Sequence, residues 1–204
     1  RASLTNTDSG HIEFINKSAL TLDGVVNSAA AGNISLLVNS EVTTEQAIAA
    51  AGNINIHTAG CFDSTSSLVA GNYAVIDVDS GNFAAGSVDA GNDLSLTVTD
   101  GDITIDDASA GNDAVIGVDS GNFIANSVSS GNNLSVTLSD GDATINSSVT
   151  GNDLTVSVDA GDIAINSAES GNDLSIVANQ GNIAIDNAAA VNDLLLHTAA
   201  GNLS

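Results

Sequence analysis

The chain has no Pro, Met or Trp, one Tyr, four Phe and one Cys, and its only basic residues are Arg1 and Lys17. So few aromatics exclude a globule cored on stacked rings, and the absence of Pro removes one device that natural sheets use to block an open strand edge. Against two cations stand 25 acidic residues, a formal net charge of −23. Without a basic surface to neutralise phosphates or anionic head groups, nucleic acid and membrane surfaces are excluded as partners. No run of ~18 apolar residues is present, which excludes insertion as a membrane helix. Cys61 has no second thiol to pair with, so the fold holds without an intrachain disulfide, and Cys61 is expected as a buried small hydrophobe. The opening RASLTNTDSG lacks an initiator Met and the basic-then-apolar layout of a signal peptide, and the chain reads as a piece of something longer. At 43% hydrophobic and 13% charged residues it carries enough apolar surface to bury, and so falls outside the disordered class.

What is there is a repeat. Gly recurs every ten residues from Gly71 to Gly181 and again at Gly201, broken only at Val191. Two kinds of half alternate, so the unit is twenty residues. Halves such as GNDLSLTVTD and GNDLTVSVDA are apolar at the fourth, sixth and eighth places, the period-two signature of a strand with one buried face. Halves such as GDITIDDASA and GDIAINSAES are apolar at the third and fifth places, carry a polar pair such as Asn166-Ser167, and become apolar again at the eighth. Here the strand bends at the polar pair and resumes. A ten-residue half has no room for a crossover helix, and Gly at this spacing penalises helices. Each unit is therefore one coil of a three-faced parallel β-solenoid. An antiparallel meander is the rival, but it would set unlike halves side by side, whereas coiling stacks like on like.

Stacking assigns the inward residues coil by coil: Ala74, Ile76, Val78, Phe83, Ala85 and Val88, then Leu94, Leu96, Val98, Ile103, Ile105 and Ala108. Where Phe83 and Phe123 enlarge a coil, Ala74, Ala85, Ala114 and Ala125 reduce it, as a filled lumen without a ligand cavity requires. In every ten-residue half from 72 to 202 the place after the Gly position is Asn or Asp, which suits a sharp corner and a hydrogen-bonded ladder along the axis. Before residue 71 the period loosens: Gly52 and Gly71 are nineteen apart. Residues 1–70 are thus expected as looser coils and 71–204 as regular ones in one continuous domain, with 38–50 the one place for a corner to swell into a loop.

The phrases SGHIEFINKSALTLDGVV, AAAGNISLLVNS and AAAGNINIHTAG, followed by GNDLSLTV and GDITID units, resemble the repeat regions of filamentous-haemagglutinin-type bacterial exoproteins. The resemblance implies a right-handed parallel β-helix carried by a very large secreted adhesin or related surface protein. It covers nearly the whole chain, and its motifs specify a coil rather than a partner.

Enzymes built on parallel β-helices group carboxylates irregularly in a groove framed by aromatics and basic residues. Here the carboxylates are spread by the repeat and both basic residues lie within the first seventeen, so no catalysis is expected. His57 and His197 share the tripeptide His-Thr-Ala and read as one repeat position used twice, and His11 is the third imidazole. The acidic corners carry the chemical signal: Asp79, Asp100, Asp102, Asp119, Asp140, Asp142, Asp159 and Asp162 are hard oxygen donors and the candidate calcium ligands, although the nonapeptide of calcium-binding β-rolls is absent. A further file, Asp93, Asp113, Asn133, Asp153, Asp173 and Asp193, is expected to accept local backbone N–H bonds. Outward places mix Ser, Thr, Asp, Gly and Val, without the regular Thr file of an ice-binding face. The expectation is a structural segment of an extracellular filament or cell-surface shaft that associates end to end. The alternative is an adhesin module holding a carbohydrate or a cell-surface partner on a lateral face.

Overall fold

The structure is a computed structural model that describes all 204 residues. Its strands, numbered β1 to β21 in chain order, fall into two parallel sheets, and no helix is present. One sheet stacks β1 (Ala2–Asn6), β3 (Leu20–Asn27), β5 (Val42–Thr44) with β6 (Ile48–Ala50), β8 (Phe62–Ala70), β10 (Phe83–Ala90), β12 (Ile103–Ala110), β14 (Phe123–Ser130), β16 (Ala143–Thr150), β18 (Ile163–Ser170) and β20 (Ile183–Ala190). The other stacks β2 (Ile12–Asn16), β4 (Ile34–Val38), β7 (Ile54–Thr58), β9 (Ala74–Ser80), β11 (Leu94–Asp100), β13 (Ala114–Ser120), β15 (Leu134–Asp140), β17 (Leu154–Ala160), β19 (Leu174–Gln180) and β21 (Leu194–Thr198). Like halves pair with like, twenty residues apart: Leu94 faces Ala114, and Ile103 faces Phe123. The molecule is a β-solenoid of about ten coils, and at ~4.8 Å per strand its axis runs roughly 48 Å.

The bend at the polar pair is visible in the burial pattern of β12, where Ile105 and Ala108 point inward and Asp106 and Asp107 both face solvent. Pairing passes from Ile105–Ala125 to Asp107–Ser127 and skips the residue between. The stretch after the bend stays in the same sheet as the stretch before it, so the ladders number two, and the expected third face is not a separate sheet. Residues 38–50 include β5 and β6, with Glu45, Gln46 and Ala47 between them at the bend.

The lumen is filled by one cluster of 49 buried apolar residues. All the inward residues assigned from the two reference coils are buried. Phe62 and Phe83 stack with ring centroids 5.3 Å apart. Phe123 lies between Ile103 and Ala143 along its column, and the small Ala114 and Ala125 of its own coil offset its volume, as close packing demands.

Two columns of glycine turn the corners for different reasons. Gly101 has φ +148, a conformation that L side chains rarely adopt. Gly151 stands in the other column, where a Cβ would lie 2.9 Å from the carbonyl carbon of Gly131 and closer still to its oxygen. There glycine lets successive coils approach closely, and at Val191, which stands in the same column, the N–H bond to Ser170 O lengthens to 3.3 Å.

Candidate functional site

The chemistry-bearing residues lie along the two corners, and each corner forms a ladder of its own. Where the chain passes from the eleven-stranded to the ten-stranded sheet, the acceptors are Asp93, Asp113, Asn133, Asp153 and Asp173. Asp93 Oδ1 accepts from Asn112 Nδ2 at 2.7 Å and from the Asp113 N–H at 3.2 Å. Asp113 repeats this toward Asn132 at 2.8 Å and the Asn133 N–H at 3.0 Å. Asn133, Asp153 and Asp173 continue it. These side chains therefore accept from the next coil rather than locally. Each one satisfies a corner N–H that the sheet ladder leaves unpaired.

At the opposite corner the residue after Gly is itself the acceptor. Asn82 Oδ1 accepts the Asp102 N–H at 2.9 Å, Asp102 that of Asn122 at 2.8 Å, Asn122 that of Asp142 at 2.9 Å, and Asp142 that of Asp162 at 2.8 Å. Asp162 and Asn182 carry the file onward. A true amide-to-amide ladder runs elsewhere, on the outer face at the bend. There Asn146 Nδ2 donates to Asn126 Oδ1 at 3.1 Å and Asn166 Nδ2 to Asn146 Oδ1 at 2.6 Å. Sequence reasoning treated Asn166 only as half of a polar pair. Asn at the same place in three successive units is the signal that points to this ladder.

The candidate calcium ligands divide among these positions. Asp102, Asp142 and Asp162 each commit Oδ1 to a backbone N–H of the next coil. Asp100 and Asp140 share a column but are separated by Ser120, which places them about 10 Å apart. Asp159 accepts from Asn179 Nδ2 at 2.7 Å, Asp79 lies 3.5 Å from His57 Nε2, and Asp119 is exposed. No three His, Cys, Asp or Glu side chains converge to hold a metal ion. The eight aspartates form lines along the rod rather than a cage.

His57 and His197 occupy one outward column, and the threonines after them point inward, Thr58 Oγ1 donating to Gly60 O at 3.0 Å and Thr198 Oγ1 to Gly181 O at 2.8 Å. The shared tripeptide is thus one position used twice, with the threonine as its structural member. His11 Nδ1 accepts the Asn33 N–H at 3.0 Å. The expectation for Cys61 is corrected: its thiol is free and exposed. Cys61 stands at the corner next to Gly81, where a Cβ on Gly81 would meet its Sγ, so its side chain is outside the lumen. Arg1 pairs with Asp23 and Glu45, and its hydrogen bonds to Asp23 hold that carboxyl below the usual carboxylate range.

The nineteen-residue gap between Gly52 and Gly71 is a displacement of the glycine by one place, since pairing stays twenty residues apart, Ala50 with Ala70 and Ile54 with Ala74. Asn72 N–H donates to Gly52 O, so Gly52 holds the place of Asn72, and Asn53 the acceptor place. Asn53 Oδ1 accordingly accepts from Asn72 Nδ2 at 3.0 Å and the Tyr73 N–H at 3.2 Å. The corners can hold successive coils in register and present a line of exposed oxygens; they gather no nucleophile, base and electrophile at one point.

No family model, curated protein or solved structure matches the chain. The parallel solenoid is the part of the haemagglutinin-type resemblance that the structure displays.

Proposed function

We propose that the chain is a structural segment of an extracellular filament or cell-surface shaft of the filamentous-haemagglutinin type, without catalysis. The observation that carries this reading is the pair of parallel ladders running the length of the chain around a filled lumen. Such a body resists extension across many backbone hydrogen bonds at once. Its outer surface supports the same reading: short polar side chains and a net charge of −23 keep neighbouring rods apart in solution.

Electron microscopy of the native assembly tests the proposal. The expected image is a thin rod of uniform width with this segment inside it. A compact particle, or turnover of a polysaccharide that is lost on replacing one carboxylate, would overturn it.

A further inference from the structure

The outer face of the ten-stranded sheet carries short side chains over most of its length: Ser95 and Thr97, Val115 and Gly117, Ser135 and Thr137, Thr155 and Ser157. The first four coils break this pattern. There one outward column runs Ile15, Leu37, His57, Asp77, and Glu13 and Val75 stand at the two ends of the column beside it. Ile15 is 63% exposed, and Leu37, His57 and Val75 rim a depression of about 330 Å³. A third column, one residue beyond the paired Asn16, Val38, Thr58 and Val78, runs Lys17, Asn39, Ala59, Asp79.

Opposite charges stand at the two ends of that third column. Arg1 pairs with Asp23 and Glu45, whereas Lys17 is exposed and makes no ion pair. Asp79 lies three rungs farther along, about 15 Å away on the same face. Around the patch the charge is low. Residues 1–60 hold five of the 25 acidic residues and both cations, and residues 61–204 hold the other 20 and no cation.

We propose that this patch is a self-complementary contact through which two copies of the chain meet face to face and antiparallel. A twofold axis lying along the strands between β4 and β7 sets the first coil of one copy over the fourth coil of the other. Lys17 of each copy then meets Asp79 of the other, and Leu37 of each lies over His57 of the other. Every contact occurs twice, as an isologous interface requires. The charge distribution selects the direction: antiparallel rods carry their acidic stretches away from each other, whereas parallel rods would lay 20 carboxylates alongside 20. The overlap is on the order of 300 Å² per copy, so the contact is weak and reversible. The charge that keeps rods apart elsewhere thus leaves one place where they touch. The inference goes beyond the shaft reading.

Carbodiimide cross-linking of the full chain at millimolar concentration, read by mass spectrometry beside sedimentation equilibrium, tests it. Lys17 is the only lysine, and its own Asp79 is beyond the reach of a zero-length link, so a Lys17–Asp79 product forms only between copies. At ~0.15 M salt the Debye length is about 8 Å, which screens the distant acidic stretches and spares the contact pairs. The expected result is a dimer with Lys17 joined to Asp79. Lys17→Asp should weaken association by about tenfold, and Lys17→Asp combined with Asp79→Lys should restore it. Leu37→Thr, which installs the residue that this column carries at Thr97 and Thr137, should weaken it as well. A chain that stays monomeric overturns the proposal. So does a product joining Lys17 to Glu13, the pairing of parallel rods, or a double variant that associates no better than Lys17→Asp alone.

Discussion

Replacing Gly151 by Ala tests the corner stacking most sharply. Gly151 does not have a left-handed φ, so Ala is conformationally allowed there, and the whole cost is steric. The new Cβ would sit 2.9 Å from the carbonyl carbon of Gly131, nearer still to its oxygen, and the corner must open by about 1 Å to restore ordinary contact. That displacement stretches the Gly151 N–H bond to Ser130 O, now 3.1 Å, and the Asn152 N–H bond to Asn132 O, now 2.8 Å, beyond useful range. Two backbone bonds weakened together cost about 1–3 kcal/mol. The chain holds its own control in Val191, which occupies the same column in the last coil. Val191 stacks on Gly171 of the preceding coil, the side on which a Cβ at Gly151 would meet Gly131, and its N–H reaches Ser170 O at 3.3 Å where the glycines of the column make 2.8–3.1 Å. Urea unfolding followed by circular dichroism measures the difference. Gly151→Ala should lower the midpoint at unchanged m, and Val191→Gly should be neutral or slightly stabilising. A Gly151→Ala cost no larger than that of Ser135→Ala, an outward position, would refute the reasoning.

Phe123→Ala should cost about 3–5 kcal/mol by opening a cavity between Ile103 and Ala143, and adding Ala125→Ile should recover part of it; a double variant no more stable than the single one would separate the two side chains. Asp113→Ala removes the acceptor for both Asn132 Nδ2 and the Asn133 N–H and should cost about 1–3 kcal/mol, with Asp113→Asn recovering most of it in the same urea titration. Melting curves in calcium, magnesium and sodium chloride at matched ionic strength should coincide, because the corner carboxylates form lines rather than a cage and salt acts by screening. A rise specific to calcium would assign the candidate aspartates as ligands. Cys61 should react stoichiometrically with a thiol reagent in the folded protein, and a thiol that reacts only after denaturation would place it in the lumen.

The coil itself was legible in the sequence, because period-two alternation fixes which side chains enter the lumen and the ten-residue Gly spacing fixes where the chain turns. Leu94, Leu96, Val98, Ile103 and Ile105 follow from that alone. The corners were less legible, since alternation says nothing about the direction of a side chain where the strand ends. A single Gly-Asx pattern therefore concealed two ladders, one in which Asn112 donates and one in which Asp102 accepts. Cys61 was misplaced for the same reason: it precedes a buried Phe62 in sequence, yet stands at a corner. The displaced glycine at Gly52 appeared as a spacing of nineteen, but only backbone pairing shows that the register stays at twenty and that Asn53 takes the acceptor role. The candidate calcium ligands stand at or beside the corners. Their separation along the axis depends on which residue of each coil pairs with which, and the repeat alone does not state that.

The account rests on parallel, in-register stacking of like halves twenty residues apart, and engineered disulfides measure that register directly. In a Cys61→Ser background, Ser135→Cys with Thr155→Cys places thiols on paired outward residues of β15 and β17, about 4.8 Å apart and within disulfide reach. Ser135→Cys with Ser175→Cys places them two coils apart, about 10 Å, and out of reach. The account predicts rapid intrachain oxidation of the first pair and none of the second, in the folded protein at low concentration. Failure of the first pair to close, or closure of the second in its place, would contradict the solenoid register on which everything else depends.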